Sequence, residues 1–149
     1  KEVGKFGLVG ILNTLLDIGI LNVLKFLFNF PTLSANIIST SIATVNSYIL
    51  NKSWTFKDKE KKWVKQFVVF AILSAIGIAI NTTILKFLSE VWTVIPDFFV
   101  SVVHFLKLDG IFKDAFVITN SAKVFAIAGS MIWNFITYKK FAFNKKKEK

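Results

Sequence analysis

Two charged side chains, Asp17 and Lys123, stand inside otherwise apolar stretches of the chain. A charge near the middle of a hydrocarbon layer costs about 2.5–3.5 kcal/mol on insertion scales, so such a residue is by default paired or functional. Two uses are open, and neither excludes the other. The pair can form a structural ion bridge, or Lys123 can hold an anionic ligand while Asp17 tunes it. Asp17 shares one helical face with Gly10, Asn13 and Thr14, which precede it at helical spacing.

A second constellation combines amides, ammonium groups and aromatic rings. Asn46, Asn51, Lys52, Trp54 and Phe56 close one apolar run, and Asn134, Lys139, Lys140 and Phe141 close another. Amide and ammonium donors at headgroup depth suit a phosphate, and neighbouring rings suit an isoprenoid or acyl chain. The same residues also describe an ordinary aromatic belt with topology-setting lysines. The polar stripes Asn36, Ser39, Thr40, Ala43 and Ser74, Gly77, Asn81 read as helix-packing surfaces.

These groups need elements to position them. The chain of 149 residues is 54% hydrophobic, with a mean hydropathy of +0.58, beyond the apolar share of an ordinary soluble domain. Stretches 6–28, 33–50, 67–88 and 115–136 are each long enough to cross a hydrocarbon core of about 30 Å. Phe30-Pro31-Thr32 breaks the first from the second, because proline ends one helix and opens the next. The expectation is a single all-α membrane domain over 1–149, with four transmembrane helices arranged as two similar hairpins. In the 88–115 connection, Val91, Trp92, Ile95, Phe98, Phe99, Val102, Val103 and Leu106 follow a helical period. That pattern predicts an amphipathic helix over roughly 96–106, opened by Pro96, lying on the outer leaflet or capping the bundle.

The net charge of +10 has a topological reading. All 19 basic residues are lysines, and 14 of them lie at the N-terminus, between 51 and 65, or from 139 onward. Nucleic-acid readers lean on arginine for bidentate contacts, and there is none, so no nucleic-acid partner is expected. By the positive-inside rule both termini and the middle connection are cytoplasmic, and 88–115 is outside. The chain has no cysteine, so single-cysteine labelling tests this directly. Cysteines placed at Lys59 and Lys146 should resist impermeant reagents in intact cells, and efficient labelling from outside would sink the topology.

The missing cysteines also exclude disulfides, thiolate nucleophiles and cysteine metal sites. His104 has no metal-ligating neighbours at useful spacing and reads as a solvated residue on the polar face. The first apolar run is too long for a signal-peptide core and lacks a small-residue cleavage pattern, so it is expected to remain as a span.

The chain resembles the GtrA-like proteins, small four-helix membrane proteins of bacterial and archaeal surface-polysaccharide pathways. The resemblance rests on Lys5-Phe6-Gly7-Leu8-Val9-Gly10 with Asn13, Thr14 and Asp17, on Asn51-x-x-Trp54-Thr55-Phe56, and on Lys123 with Asn134-Phe135 before Phe141-x-Phe143. It implies handling of polyprenyl-phosphate-linked sugars, by translocation or by assisting a membrane-associated glycosyltransferase. Asn51, Trp54, Phe56, Lys123 and Asn134 thereby become site candidates. Two features depart from the family pattern: Lys52-Ser53 supplies fewer basic groups after Asn51, and the 88–115 connection is longer.

The leading expectation is a translocator of lipid-linked sugars for cell-surface glycosylation in the cytoplasmic membrane. Its partners are polyprenyl-phosphate-linked sugar, membrane lipids, a glycosyltransferase and further copies of itself. The sequence offers no nucleotide loop, acidic metal cluster or nucleophile–base pair, so no enzymatic step and no cofactor are expected. One alternative is a scaffold that presents the lipid to its glycosyltransferase without moving it. Another is a small proton-coupled exporter, which the one-sided lysine distribution disfavours.

Overall fold

A computed structural model describes residues 2–55 and 63–142. Every regular element among them is helical: α1 (Glu2–Asn22), α2 (Thr32–Leu50), α3 (Trp63–Lys86), α4 (Val94–Phe105) and α5 (Asp114–Thr137). The four long helices each continue into a π-helical turn, at Val23–Leu27, Asn51–Thr55, Phe87–Val91 and Tyr138–Ala142. Phe56 and the lysines of 57–62 and 145–149 lie outside the described residues.

The helices run longer than the apolar stretches that signal them. A hydropathy pattern stops at the first polar residues, whereas the backbone ladder continues until a cap or a breaker intervenes. Asn29 in the left-handed region (φ 56°) and Pro31 form the break after α1. Asparagine tolerates that conformation better than most residues. Pro96 does not open α4; it is the third residue, after Val94 and Ile95. The first turn of a helix leaves its N–H groups without intrahelical partners, so proline is accommodated there too. Thr93 Oγ1 donates to Asp97 Oδ2 at 2.7 Å across the same turn.

Among the described residues three helices are long and apolar enough to cross a membrane: Gly4–Leu27, Val64–Val91 and Asp114–Ala142. Helix α2 is not among them. Its length suffices, but Asn36, Ser39, Thr40, Asn46 and Ser47 dilute its hydropathy. Those polar residues face the other helices, while Leu33, Ile37, Ile42, Val45 and Ile49 remain exposed.

Burial is inverted relative to a water-soluble bundle. Leu8, Ile11, Leu12 and Leu15 of α1 are each more than half exposed, while Asp17, Asn36, Asn81 and Lys123 are buried. With hydrocarbon as solvent, apolar side chains gain nothing by facing inward, and small or polar residues hold the helices together. The chief packing pairs are α1 on α2 and α3 on α5, with α4 against α5. Ala122 and Ala126 let α5 approach Leu85 and Leu88 at the end remote from Lys52, Lys139 and Lys140. At the basic end Phe6, Phe70, Tyr138 and Ala142 form a hydrophobic cluster, with the Phe6 and Phe135 ring centres 4.8 Å apart. The polar centre lies between these two apolar layers.

Outside the bundle, α4 keeps Phe98, Val102 and Phe105 exposed. His104 Nε2 meets Asp114 Oδ1 at 2.8 Å and links the last turn of α4 to the first residue of α5. That hydrogen bond, helped by the charges of Asp114 and Asp109, raises the imidazole pKa above its ordinary value against a smaller opposing effect of desolvation. His104 therefore stays exposed, as its polar-face position predicts, and also ties two elements together.

Candidate functional site

Asp17 and Lys123 meet. The Lys123 ammonium lies 2.7 Å from Asp17 Oδ2. It also donates to Asn36 Oδ1 at 2.6 Å, Thr40 Oγ1 at 2.9 Å and Asn81 Oδ1 at 3.2 Å. An ammonium has three N–H donors, so these acceptors from α1, α2 and α3 saturate it. Asp17 in turn accepts from Ser39 Oγ at 2.6 Å and from Thr40 Oγ1 at 3.3 Å. Asn36 further donates to Thr82 Oγ1, and Asn81 to Ser130 Oγ, so the network reaches all four long helices. Of the two uses open for Lys123, the geometry shows the ion bridge, with no donor left over for an anion.

Asn36, Ser39, Thr40 and Asn81 are the partners that the packing-stripe reading passed over. Their signal was present: Asn36, Ser39 and Thr40 recur at i, i+3, i+4 on the one helix with low hydropathy. A packing stripe and a ligand set share that spacing, and only the rotation of α2 about its axis separates them.

From Asp17 toward the basic end runs a partly open cavity of about 70 Å³. Asn13, Thr14 and Asp17 of α1, Thr44, Ser47 and Asn51 from the α2 side, and Ser130 and Asn134 of α5 line it with Phe6 and Tyr138. Asn46 does not line it but fixes the wall, its Nδ2 donating to Asn13 Oδ1 at 2.7 Å. Asn51 is fully buried, and its Nδ2 donates to Ser47 Oγ at 2.9 Å. Among the described residues its Oδ1 has no hydrogen-bond partner, and neither does Asn134 Oδ1. An unpartnered buried carbonyl costs roughly 1–3 kcal/mol, so these amides are natural acceptors for a ligand's donors.

The predicted phosphate constellation therefore divides. Of its members only Asn51 and Asn134 line the cavity, joined there by Asn13 and Asp17 from the α1 stripe, while Asn46, Lys52, Trp54, Lys139 and Lys140 are not part of its lining. The physical reason is helical phase: successive residues diverge by about 100°, so Lys52 cannot share the inward face of Asn51. Lys52 instead donates to Gln66 Oε1, and Gln66 Nε2 donates to Ala142 O at 3.0 Å, bracing the basic end. Lys139 and Lys140 are exposed beside the rings of Phe135 and Phe141. Trp54 is exposed too, with the Lys5 ammonium 5.3 Å from its ring centre and donating to its backbone carbonyl. The arrangement is a polar pocket inside, with Lys5, Lys139 and Lys140 beside aromatic rings outside it.

The profile of the family described as "GtrA/DPMS, transmembrane domain" matches residues 5–143. The chain belongs to that family. It is a membrane protein. A curated relative, "Uncharacterized membrane protein YngA" of Bacillus subtilis (strain 168), is 38% identical over 74 residues. That match spans 50% of this chain and 49% of the relative, about half the length of each. No solved structure matches the chain.

Proposed function

We propose that this chain translocates polyprenyl-phosphate-linked sugars across the cytoplasmic membrane for cell-surface glycosylation, as a four-span bundle with both termini inside. The observation that carries the reading is the polar cavity between Asp17 and the basic end, enclosed by a bundle with an apolar exterior. Its unpartnered Asn51 and Asn134 oxygens accept from sugar hydroxyls. The exposed ammonium groups of Lys139 and Lys140, with Lys5 near Trp54, meet the phosphate at headgroup depth. The prenyl tail stays in lipid along the exposed Trp54 and Phe141 rings.

A cavity of about 70 Å³ holds on the order of five waters. One bundle thus encloses too little space for a full conduit, and more than one copy completes the path. Bond making is left to a membrane-associated glycosyltransferase, and the chain itself performs no enzymatic step.

Binding of a short-chain prenyl phosphate to the purified protein tests the phosphate reading against the matching prenyl alcohol. The phosphate should bind more tightly, and rising salt should erode the difference because the lysines are near water. Lys139→Gln with Lys140→Gln should weaken phosphate binding by about three- to tenfold, whereas lysine-to-arginine changes should preserve it. Equal affinity for alcohol and phosphate would leave the lysines as topology signals only. Movement of a labelled lipid-linked sugar across vesicles separates translocation from scaffolding: a scaffold would bind the lipid and leave its sidedness unchanged.

A further inference from the structure

The candidate spans carry another inward-turned lysine, at the end of the bundle remote from Lys139 and Lys140. Lys25 sits in the π-helical turn Val23–Leu27 that closes the first span, half-buried between α1 and α5. Its ammonium donates to the buried Thr119 Oγ1 at 2.5 Å and lies 5.3 Å from the Phe26 ring centre. Among the described residues no carboxylate lies within ion-pair distance of it, and Glu90 acts on it only from farther away. Lys123 is saturated by Asp17, Asn36, Thr40 and Asn81, but Lys25 keeps donor capacity after Thr119 has taken one N–H.

The surroundings of Lys25 are held in place. Asn22 Nδ2 donates to Asn120 Oδ1 at 2.7 Å, and Asn120 Nδ2 donates back to Asn22 Oδ1 at 2.8 Å. The remaining amide hydrogens go to Ile18 O and Phe116 O, which leaves these two side chains no donor for a ligand. Phe26, Phe116 and Phe112 form a run of rings beside the ammonium, with neighbouring ring centres 5.7 and 5.9 Å apart. Exposed Leu27 and Phe28 continue the apolar rim. The result is one cation with spare donors on a rigid amide floor, bordered by hydrocarbon. An unpaired charge at such a border is costly, and an anionic group on a lipid chain relieves that cost while its tail stays against the rings.

We propose that Lys25 is a second phosphate station, at the opposite end of the bundle from Lys139 and Lys140, holding the phosphate of a prenyl-linked lipid after it leaves the Lys139–Lys140 end. The identity of the lipid rests on the function proposed above; the existence of the site rests on Lys25 and its neighbours. Lys123, between the two stations, takes no part in holding the phosphate.

Native mass spectrometry of the full chain in detergent, with a short-chain prenyl phosphate at saturation, tests this. The wild type should retain two equivalents, Lys25→Gln one, and Lys25→Arg two. Thr119→Val keeps the ammonium and should also retain two. Two equivalents on a folded Lys25→Gln protein would overturn the proposal. So would a loss in Thr119→Val equal to that in Lys25→Gln, since packing rather than charge would then be at work. The source of the phosphate is separated by competition: retention of the Lys25-dependent equivalent against excess inorganic phosphate and phosphatidylglycerol supports the prenyl-linked lipid. Displacement by either competitor overturns that assignment. Equal binding of the prenyl alcohol by the wild type sinks both functional readings, whereas a phosphate preference with unchanged stoichiometry in Lys25→Gln sinks this one alone.

Discussion

Replacing Lys123 by alanine should be among the most damaging single changes in the chain. It removes an ammonium that is fully buried and bonded to Asp17, Asn36, Thr40 and Asn81. Among the described residues it leaves the Asp17 carboxylate only the Ser39 and Thr40 hydroxyls as partners. Breaking one side of a buried ion pair costs about 3–5 kcal/mol, because the remaining charge is left without compensation. Adding Asp17→Asn removes that charge, so the double variant should be more stable than Lys123→Ala alone. Thermal unfolding in detergent, read as a double-mutant cycle, measures the coupling. Strictly additive losses would mean that the two residues act separately. A harmless Lys123→Ala would take the polar centre out of the account altogether. Lys123→Ala should leave the contribution of Lys139 and Lys140 to phosphate binding unchanged, because the saturated Lys123 ammonium contributes no donor to a phosphate.

How much of this centre the sequence displays depends on the rarity of each signal. Asp17 and Lys123 stand out because an isolated charge in an apolar run has few physical excuses. Asn36 and Asn81 do not stand out, since an amide on a membrane helix looks the same whether it packs, ligates or lines a cavity. Their role depends on the rotation of α2 and α3, which Lys123 reads out by sitting between them. Asn51 misleads for a different reason. The apolar run ends at Leu50, so its neighbour reads as an interfacial amide beside Lys52 and Trp54. The helix nevertheless continues through the π turn Asn51–Thr55 and carries Asn51 inward under Ser47. Lys25 is hidden by its ordinariness: a lysine near the end of a span normally snorkels to water. Its hydrogen bond to a buried threonine on a distant helix is visible only in three dimensions. The sequence thus displays the helical class and the residues of extreme chemistry, while helical phase, which decides what faces the cavity, emerges from packing.

Among the glycines, Gly77→Ala should do the most harm to ligand handling. A Cβ at Gly77 would press on the Asn134 carboxamide, with that group's carbon and nitrogen at 3.2 and 3.3 Å and its oxygen closer still. Asn134 is a short side chain, so its amide cannot simply bend away as the tip of a long one would. It must rotate off Gly77 and alter the cavity wall, moving one of the unpartnered acceptors. Overpacking of this kind costs about 1–3 kcal/mol of stability. Misplacing the acceptor should weaken binding of a short-chain prenyl-phosphate sugar by about tenfold, the equivalent of one hydrogen bond. Gly19→Ala is the control, since a Cβ there meets nothing within 4 Å and alanine is the better helix former. Gly129→Ala is intermediate, because the atom it would meet is the flexible tip of Ile84. Melting temperatures should therefore rank Gly19→Ala above Gly129→Ala above Gly77→Ala, with the loss of sugar-lipid affinity confined to Gly77→Ala. Combining Gly77→Ala with Asn134→Ala should restore stability, because the crowding amide is gone, yet leave affinity low. If affinity returned with stability, Asn134 would be a packing residue, and acceptor duty in the cavity would rest on Asn51 alone.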